Sequence, residues 1–203
     1  MNSIKTIIFD LGGVLLDIDF KRSENAFQQL GVPQFSQMAG MAGNNQLFNS
    51  LETGMDVDQF YHQFKQLTQL KIYNKQIEAA WNALLLDFRK ESMQHLLLLK
   101  AKYNLYLLSN TNEIHLQEFQ KKLARQLPSL SWDVCFDACY FSHKIGIRKP
   151  NPEAWLYLIK KHTLKVKETL FIDDSAANIV AAKELGMQTI HLLPTMKIEN
   201  LGL

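Results

Sequence analysis

Cysteine is nearly absent, with two in 203 residues, Cys135 and Cys139. Two thiols make no disulfide framework, and without flanking histidine or cysteine ligands they make no zinc site. They read as small buried hydrophobes in a reducing compartment. An excess of one charge is also missing. Twenty-two Lys and Arg face 20 Asp and Glu, for a net charge of +2, and the basic residues are scattered. That balance argues against nucleic acid or an anionic membrane as partner. No apolar run approaches the ~20 residues of a membrane span; even Leu96–Leu99 reads as one face of a helix. The N-terminus runs straight into a strand pattern with no charged-then-apolar leader. The expectation is a soluble cytoplasmic protein, without internal repeats or low-complexity linkers.

What is present is core material. Hydrophobic residues make up 47% of the chain and charged residues 21%, enough for a full core in one domain with room for a small inserted one. The run Thr6-Ile7-Ile8-Phe9 is short, apolar and rich in β-branched residues, which suits a strand buried on both faces of a parallel sheet. It ends on Asp10, followed by the turn-forming pair Gly12-Gly13. In open α/β sheets ligands bind just beyond the carboxyl ends of the strands, which puts Asp10 at the expected reaction site.

After Asp17 the texture changes. From Asp19 to about Arg89 the chain is polar, rich in Gln and Asn, and shows no convincing strand. Helical spacing appears instead in Ala26, Phe27 and Leu30, in Phe60, Phe64 and Leu67, and in Ile77, Ala80, Trp81 and Leu84. Asp56 or Asp58 supplies the N-terminal carboxylate of the second of these helices, and Glu52-Thr53-Gly54 reads as a turn. A helical insertion of about 70 residues is too long for a simple connection.

Alternating helix and strand return near Glu91. A helix through Met93, Leu96 and Leu97 leads to a strand over 105–108, then a helix from Glu113 to about Gln126. A strand over 137–141, a helix over 152–162, a strand over 169–172, a helix over 176–185 and a last strand over 188–192 follow. This order predicts an α/β fold with a Rossmann-like parallel sheet. The domain boundaries expected are 1–17 with 90–203 for the sheet core and 18–89 for the helical insertion.

Three of the predicted strands end in polar residues, namely Asp10, Ser109-Asn110 and Asp173-Asp174. Parallel strands deliver those ends to one edge, where the loop Arg148-Lys149-Pro150 joins them. Carboxylates so crowded repel one another unless a cation neutralises them. Oxygen-only ligands point to a hard ion, and Mg²⁺ suits a site with few protein ligands. Lys149, Ser109 and loop backbone amides suit the oxygens of a phosphoryl group. Carboxylate, cation and phosphate cradle together point to phosphoryl transfer through an aspartyl-phosphate. Taken singly, Ser109-Asn110 also fits a turn, Lys149 a surface charge, and Asp173-Asp174 a helix cap.

Four spaced motifs, Asp10-Leu11-Gly12-Gly13-Val14, Leu108-Ser109-Asn110-Thr111-Asn112, Gly146-Ile147-Arg148-Lys149-Pro150 and Phe171-Ile172-Asp173-Asp174 with Asn178 one turn on, resemble those of the haloacid-dehalogenase (HAD) superfamily of hydrolases. The helical insertion resembles the α-helical cap of its type IA (variant 3) subfamily. The chain looks most like the glucose-1-phosphate phosphatase branch, whose members also read Asp-Leu-Gly and Ser-Asn-Thr-Asn. By that resemblance Asp10 is the nucleophile and a Mg²⁺ ligand. Ser109 and the backbone near Leu11, Gly12 and Asn110 hold the phosphoryl group, and Lys149 joins nucleophile and phosphate. Asp174 binds Mg²⁺ directly, Asp173 directly or through a water, and the Gly12 carbonyl faces the metal. The cap sets selectivity; Glu52-Thr53-Gly54 and Trp81-Asn82 are the candidates for its inward-facing parts, although Trp81 fits plain core better.

One position departs from that pattern. The usual first motif carries a second Asp two residues after the nucleophile, as acid and base; here it is Gly12. Such catalysis is typically worth about 10²–10⁴-fold. Asp17, Asp19, a water or a substrate hydroxyl are the available replacements; His115 is a further candidate site residue, though a solvent-facing helix position is the simpler reading. The function expected is a Mg²⁺-dependent phosphatase of a small phosphorylated metabolite, hexose phosphates first, acting as monomer or homodimer. The alternative is a slow or inactive binding or regulatory protein that kept the pocket. A dehalogenase leaves Asp173-Asp174 without a purpose, and Gly12-Gly13 lacks the glycine spacing of a dinucleotide turn.

Overall fold

The computed structural model describes residues 3–35, 38 and 46–203, so Met1, Asn2 and residues 36, 37 and 39–45 of the predicted insertion lie outside the described residues. Five strands form one parallel sheet, β1 (Thr6–Phe9), β4 (Asn104–Ser109), β5 (Ala138–Phe141), β6 (Thr169–Asp173) and β7 (Gln188–His191). Their order is β5-β4-β1-β6-β7, which puts the first strand in the centre. Phe9 is level with Leu107 on one side and with Ile172 on the other. The polar residues that end β1, β4 and β6 therefore emerge side by side.

Two-residue alternation along these strands builds a core on each face. Ile7, Phe9, Leu105, Leu107 and Ile172 pack against Met93 and Leu96 of α5 (Lys90–Lys100) and Leu116, Phe119 and Leu123 of α6 (Glu113–Gln126). Ile8, Tyr106, Leu108 and Phe171 face the other way, onto Trp155 and Leu158 of α9 (Glu153–His162) and Ile179 and Ala182 of α10 (Ala176–Glu184). Both faces of β1 are covered, which is why its sequence is apolar without a break.

The predicted helical stretch holds α1 (Phe20–Gln29), α2 (Gln46–Glu52), α3 (Val57–Thr68) and α4 (Asn74–Asn82). They enclose a separate cluster dominated by aromatic rings, including Phe27, Phe48, Phe60, Phe64 and Trp81. Asp56, not Asp58, is the N-cap of α3, accepting from the Asp58 and Gln59 amides at 3.0 and 3.1 Å. The expectation of no strand from Asp19 to about Arg89 fails. Leu85–Phe88 forms β3, paired antiparallel with β2 (Leu16–Ile18). Four residues with a charged Asp87 among them carry too little periodicity to show as a strand. Two one-turn helices, α7 (Trp132–Cys135) and α8 (Ser142–Ile145), complete the fold. Cys135 is buried and Cys139 half-buried, and no helix among the described residues is long and apolar enough to cross a membrane.

Candidate active site

The polar strand ends converge as their sequence positions predict. Lys149, in the loop between α8 and α9, is 1% exposed, and its ammonium donates to Asp10 Oδ1 at 2.6 Å and Asp173 Oδ2 at 2.7 Å. A buried ammonium is tolerable only with partners of this kind. Burial works against its charge, but the two carboxylates outweigh burial and hold its pKa above the ordinary lysine value. Asn110 fixes the loop from below. Its amide donates to the Lys149 carbonyl at 2.8 Å while its side-chain oxygen accepts from the Lys149 N–H at 2.9 Å.

Asp173 is fully buried and already engaged. Its oxygens accept from Lys149, from the Ser175 amide at 2.7 Å and from the Asn178 side chain at 3.0 and 3.1 Å. It anchors the lysine, while Asp174 beside it opens toward the cavity. One carboxylate oxygen from each of Asp10, Asp173 and Asp174 lies within 4.8 Å of the others. Burial and then the Asp173 and Asp174 charges push the Asp10 carboxyl up to about 7 even with Lys149 opposing them, and burial with Asp173 also raises Asp174. Three carboxylates against one ammonium leave excess negative charge. The donor set, all oxygen, fits a hard divalent cation. Gly13 is needed there, because it has φ +70° and a Cβ on it would lie 2.1 Å from Asp174 Oδ2.

Asp10, Leu11, Gly12, Ser109, Asn110, Lys149 and Asp174 all line one cavity of about 460 Å³ between the sheet edge and the helical stretch. The Ser109 side chain has no hydrogen-bond partner among the described residues, which leaves its hydroxyl available to a ligand. Glu52 and Trp81 line the opposite wall, as anticipated, and Trp81 also belongs to the aromatic core. Thr53, Gly54 and Asn82 are not among the lining residues.

Two expectations are corrected. Asp17 is drawn to Arg89 at 2.7 Å, Asp19 caps α1 through the Lys21 amide at 3.0 Å, and neither lines the cavity. His115 is not solvent-facing but 8% exposed, held against Trp81 and part of the cavity wall. Its position, three residues past the N-cap Asn112 that ends the second motif, was the available signal. Asn49 was not foreseen; its side-chain oxygen accepts from Arg148 at 2.8 Å across the cavity, and nothing local in sequence marks it.

A family model for haloacid dehalogenase-like hydrolases matches residues 4–186. A D-ribitol-5-phosphate phosphatase of Bacteroides thetaiotaomicron is 32% identical over 190 residues, covering 93% of this chain and 91% of that protein. A phosphoglycolate phosphatase of Vibrio parahaemolyticus is 29% identical over 201 residues, covering 93% and 83%. A solved HAD family enzyme of B. thetaiotaomicron, the wild-type protein in complex with magnesium and inorganic phosphate, superposes with a TM-score of 0.89 at 31% identity, covering 99% of this chain and 100% of that one.

Proposed function

The chain belongs to the haloacid dehalogenase-like hydrolases, and from that membership we propose that it is a Mg²⁺-dependent phosphomonoesterase of small phosphorylated metabolites, with a sugar or polyol phosphate as substrate. The observation that carries this reading is Lys149 held between Asp10 and Asp173, with Asp174 in the same carboxylate cluster and the unpartnered Ser109 hydroxyl on the same cavity wall. The named phosphatase relatives and the magnesium and phosphate complex of the related enzyme support it. The resemblance to the glucose-1-phosphate branch belongs to the proposal and keeps hexose phosphates among the candidates.

The chemistry follows from the residues. Lys149 holds one oxygen of Asp10, which orients the carboxylate, and the free oxygen attacks phosphorus in line with the ester bond. The phosphorus–ester oxygen bond breaks, the alcohol leaves and takes a proton from water, and phosphate remains on Asp10. A water then attacks that phosphorus, the bond to Asp10 breaks, and inorganic phosphate departs. Ser109, the Lys149 ammonium and the amides of Leu11, Gly12 and Asn110 bind the phosphoryl oxygens through both steps. Asp10, Asp174, the Gly12 carbonyl and, through a water, Asp173 would hold Mg²⁺, which supplies charge neutralisation of nucleophile and phosphate. Residues 18–89 act as a cap over the core of 1–17 and 90–203, and the ribbon of β2 and β3 is where they join it. The cavity volume suits a metabolite of sugar-phosphate size.

No carboxylate stands at Gly12, and Asp17 and Asp19 are engaged elsewhere. That observation favours one second reading, a pocket that binds a phosphorylated metabolite with slow or no turnover. Phosphate release from p-nitrophenyl phosphate and a panel of sugar and polyol phosphates separates the two. Turnover that needs Mg²⁺, stops with chelator and vanishes in Asp10→Asn is expected. Tight Mg²⁺-dependent binding with no release from any compound would leave the second reading.

A further inference from the structure

His115 lies in the first turn of α6, where its backbone N–H donates to the side chain of the N-cap Asn112 at 3.0 Å. Its ring lies flat on Trp81, with centroids 5.1 Å apart and planes 7° from parallel. Nδ1 is 2.8 Å from the side-chain oxygen of Asn82. A carboxamide oxygen only accepts, so Nδ1 carries the proton. Burial pushes the His115 pKa down to about 3, which keeps the ring neutral at physiological pH. Nε2 is then a bare lone pair. It has no partner among the described residues, in a side chain more than nine-tenths buried on the wall of the cavity that holds Asp10.

The surroundings do not replace that partner. The two stacking neighbours of Trp81 are His115 and Phe48, the latter with centroids 5.0 Å apart and planes at 23°. Trp81 is itself only 8% exposed, which leaves little indole surface for a sugar ring. The ligand must meet the edge of the imidazole, and what fits a lone pair is an O–H donor. A phosphate or carboxylate oxygen offers no proton there, and an alkyl chain leaves the acceptor unsatisfied. We propose that His115 Nε2 is a specificity-determining acceptor for a hydroxyl of the substrate's alcohol portion, selecting polyol or sugar phosphates over alkyl phosphates and carboxylate-bearing ones. Asn82 is its positioning residue, since it fixes the tautomer. This inference rests on the phosphomonoesterase reading.

The test uses the Mg²⁺-loaded full chain and three compounds: D-ribitol 5-phosphate, n-pentyl phosphate of equal chain length without hydroxyls, and p-nitrophenyl phosphate. His115→Phe keeps the ring on Trp81 and removes the acceptor. The expected result is a rise of about 5–10-fold in KM for ribitol 5-phosphate, the worth of one hydrogen bond. KM for pentyl phosphate should stay within about twofold, and KM for p-nitrophenyl phosphate should rise less than KM for ribitol 5-phosphate. His115→Gln, which retains an acceptor oxygen, should recover part of the ribitol 5-phosphate KM, and it serves as the test if the Phe variant fails to fold. Equal losses on all three compounds, or no loss on any, would overturn the proposal. A wild type that hydrolyses p-nitrophenyl phosphate but shows no preference for ribitol 5-phosphate over pentyl phosphate sinks this inference and spares the phosphatase. Release from none of the three removes both.

Discussion

Arg148 Nε and Glu52 Oε2 approach to 2.7 Å across the mouth of the cavity. Arg148 precedes Lys149 in the phosphate-side loop, and Glu52 is the last residue of α2, so the pair ties the helical layer to the sheet edge. It is an ion pair without hydrogen-bond alignment, and Asn49 adds the aligned bond to the same guanidinium. Burial raises the Glu52 carboxyl above its ordinary value although Arg148 opposes this, so the charge depends on its partner. The two halves are not equivalent. Arg148→Met strands a half-buried carboxylate, whereas Glu52→Gln leaves Arg148 with Asn49. The pair is partly exposed, so the loss should lie between the ~1 kcal/mol of a surface pair and the ~3–5 kcal/mol of a buried one. Urea midpoints should fall more for Arg148→Met than for Glu52→Gln, and KM should rise in both if the helical layer serves as the proposed cap.

The two adjacent glycines of the first motif should respond in opposite ways. Gly13 has φ +70°, and a Cβ there would enter the Asp174 carboxylate. Asp174 cannot yield without leaving the carboxylate cluster. Gly12 has no such backbone demand, and its Cβ would meet only the tip of Ile18, at 3.2 Å. Gly13→Ala should therefore cost about 1–3 kcal/mol in strain and abolish the Mg²⁺-induced rise in Tm. Gly12→Ala should keep that rise and most of its stability. Equal behaviour of the two in thermal melts with and without Mg²⁺ would show that Gly13 does not shape the metal site.

The parts of this site legible in the sequence are those carried by the sheet. An apolar strand that stops at a polar residue announces both its burial and its open end, and Asp10, Ser109 and Asp173 each sit at such a stop. Lys149 was legible through its Gly- and Pro-marked loop. What escaped depends on side-chain placement between distant segments. Asn49 reaches Arg148 from 99 positions away, and no periodicity encodes that meeting. His115 looked like an exposed helix residue because its partner Asn82 and its stacking face Trp81 come from α4, 33 and 34 positions earlier. β3 was missed because its pairing with β2 spans the whole helical stretch.

Lys149 does two things that one substitution can separate from metal binding. It keeps Asp10 and Asp173 apart in charge, and in the proposed reaction it faces the phosphoryl group. Lys149→Met preserves the bulk of the stem and removes the ammonium. Loss of one donor to the transition state predicts a fall of about 10²–10³-fold in kcat. The oxygen donors remain, and with the opposing cation gone they gain affinity for a divalent ion. The Mg²⁺-induced rise in Tm should therefore be at least as large in Lys149→Met as in wild type, while Asp174→Asn should lose it. A Lys149→Met protein that no longer responds to Mg²⁺ would mean that the lysine holds the carboxylates in place and does not merely balance them.

His115 also couples stability to pH, with a definite sign. Its pKa falls from 6.5 to about 3 in the folded protein because burial disfavours the charged ring. Above pH 6.5 the ring is neutral in folded and unfolded chains alike, and the full stability is present. Below 6.5 the unfolded chain takes up a proton that the folded one refuses, so stability falls by about 1.4 kcal/mol per pH unit until the folded pKa is reached. His115→Phe carries no such proton. Between pH 7 and pH 5 the wild type should lose about 2 kcal/mol more than the Phe variant, after both have shared the losses of every other group. Urea unfolding of the two proteins at both pH values reads this directly. Parallel losses would mean that His115 protonates in the folded state near its ordinary pKa, and Nε2 would then be a donor in the cavity and not an acceptor.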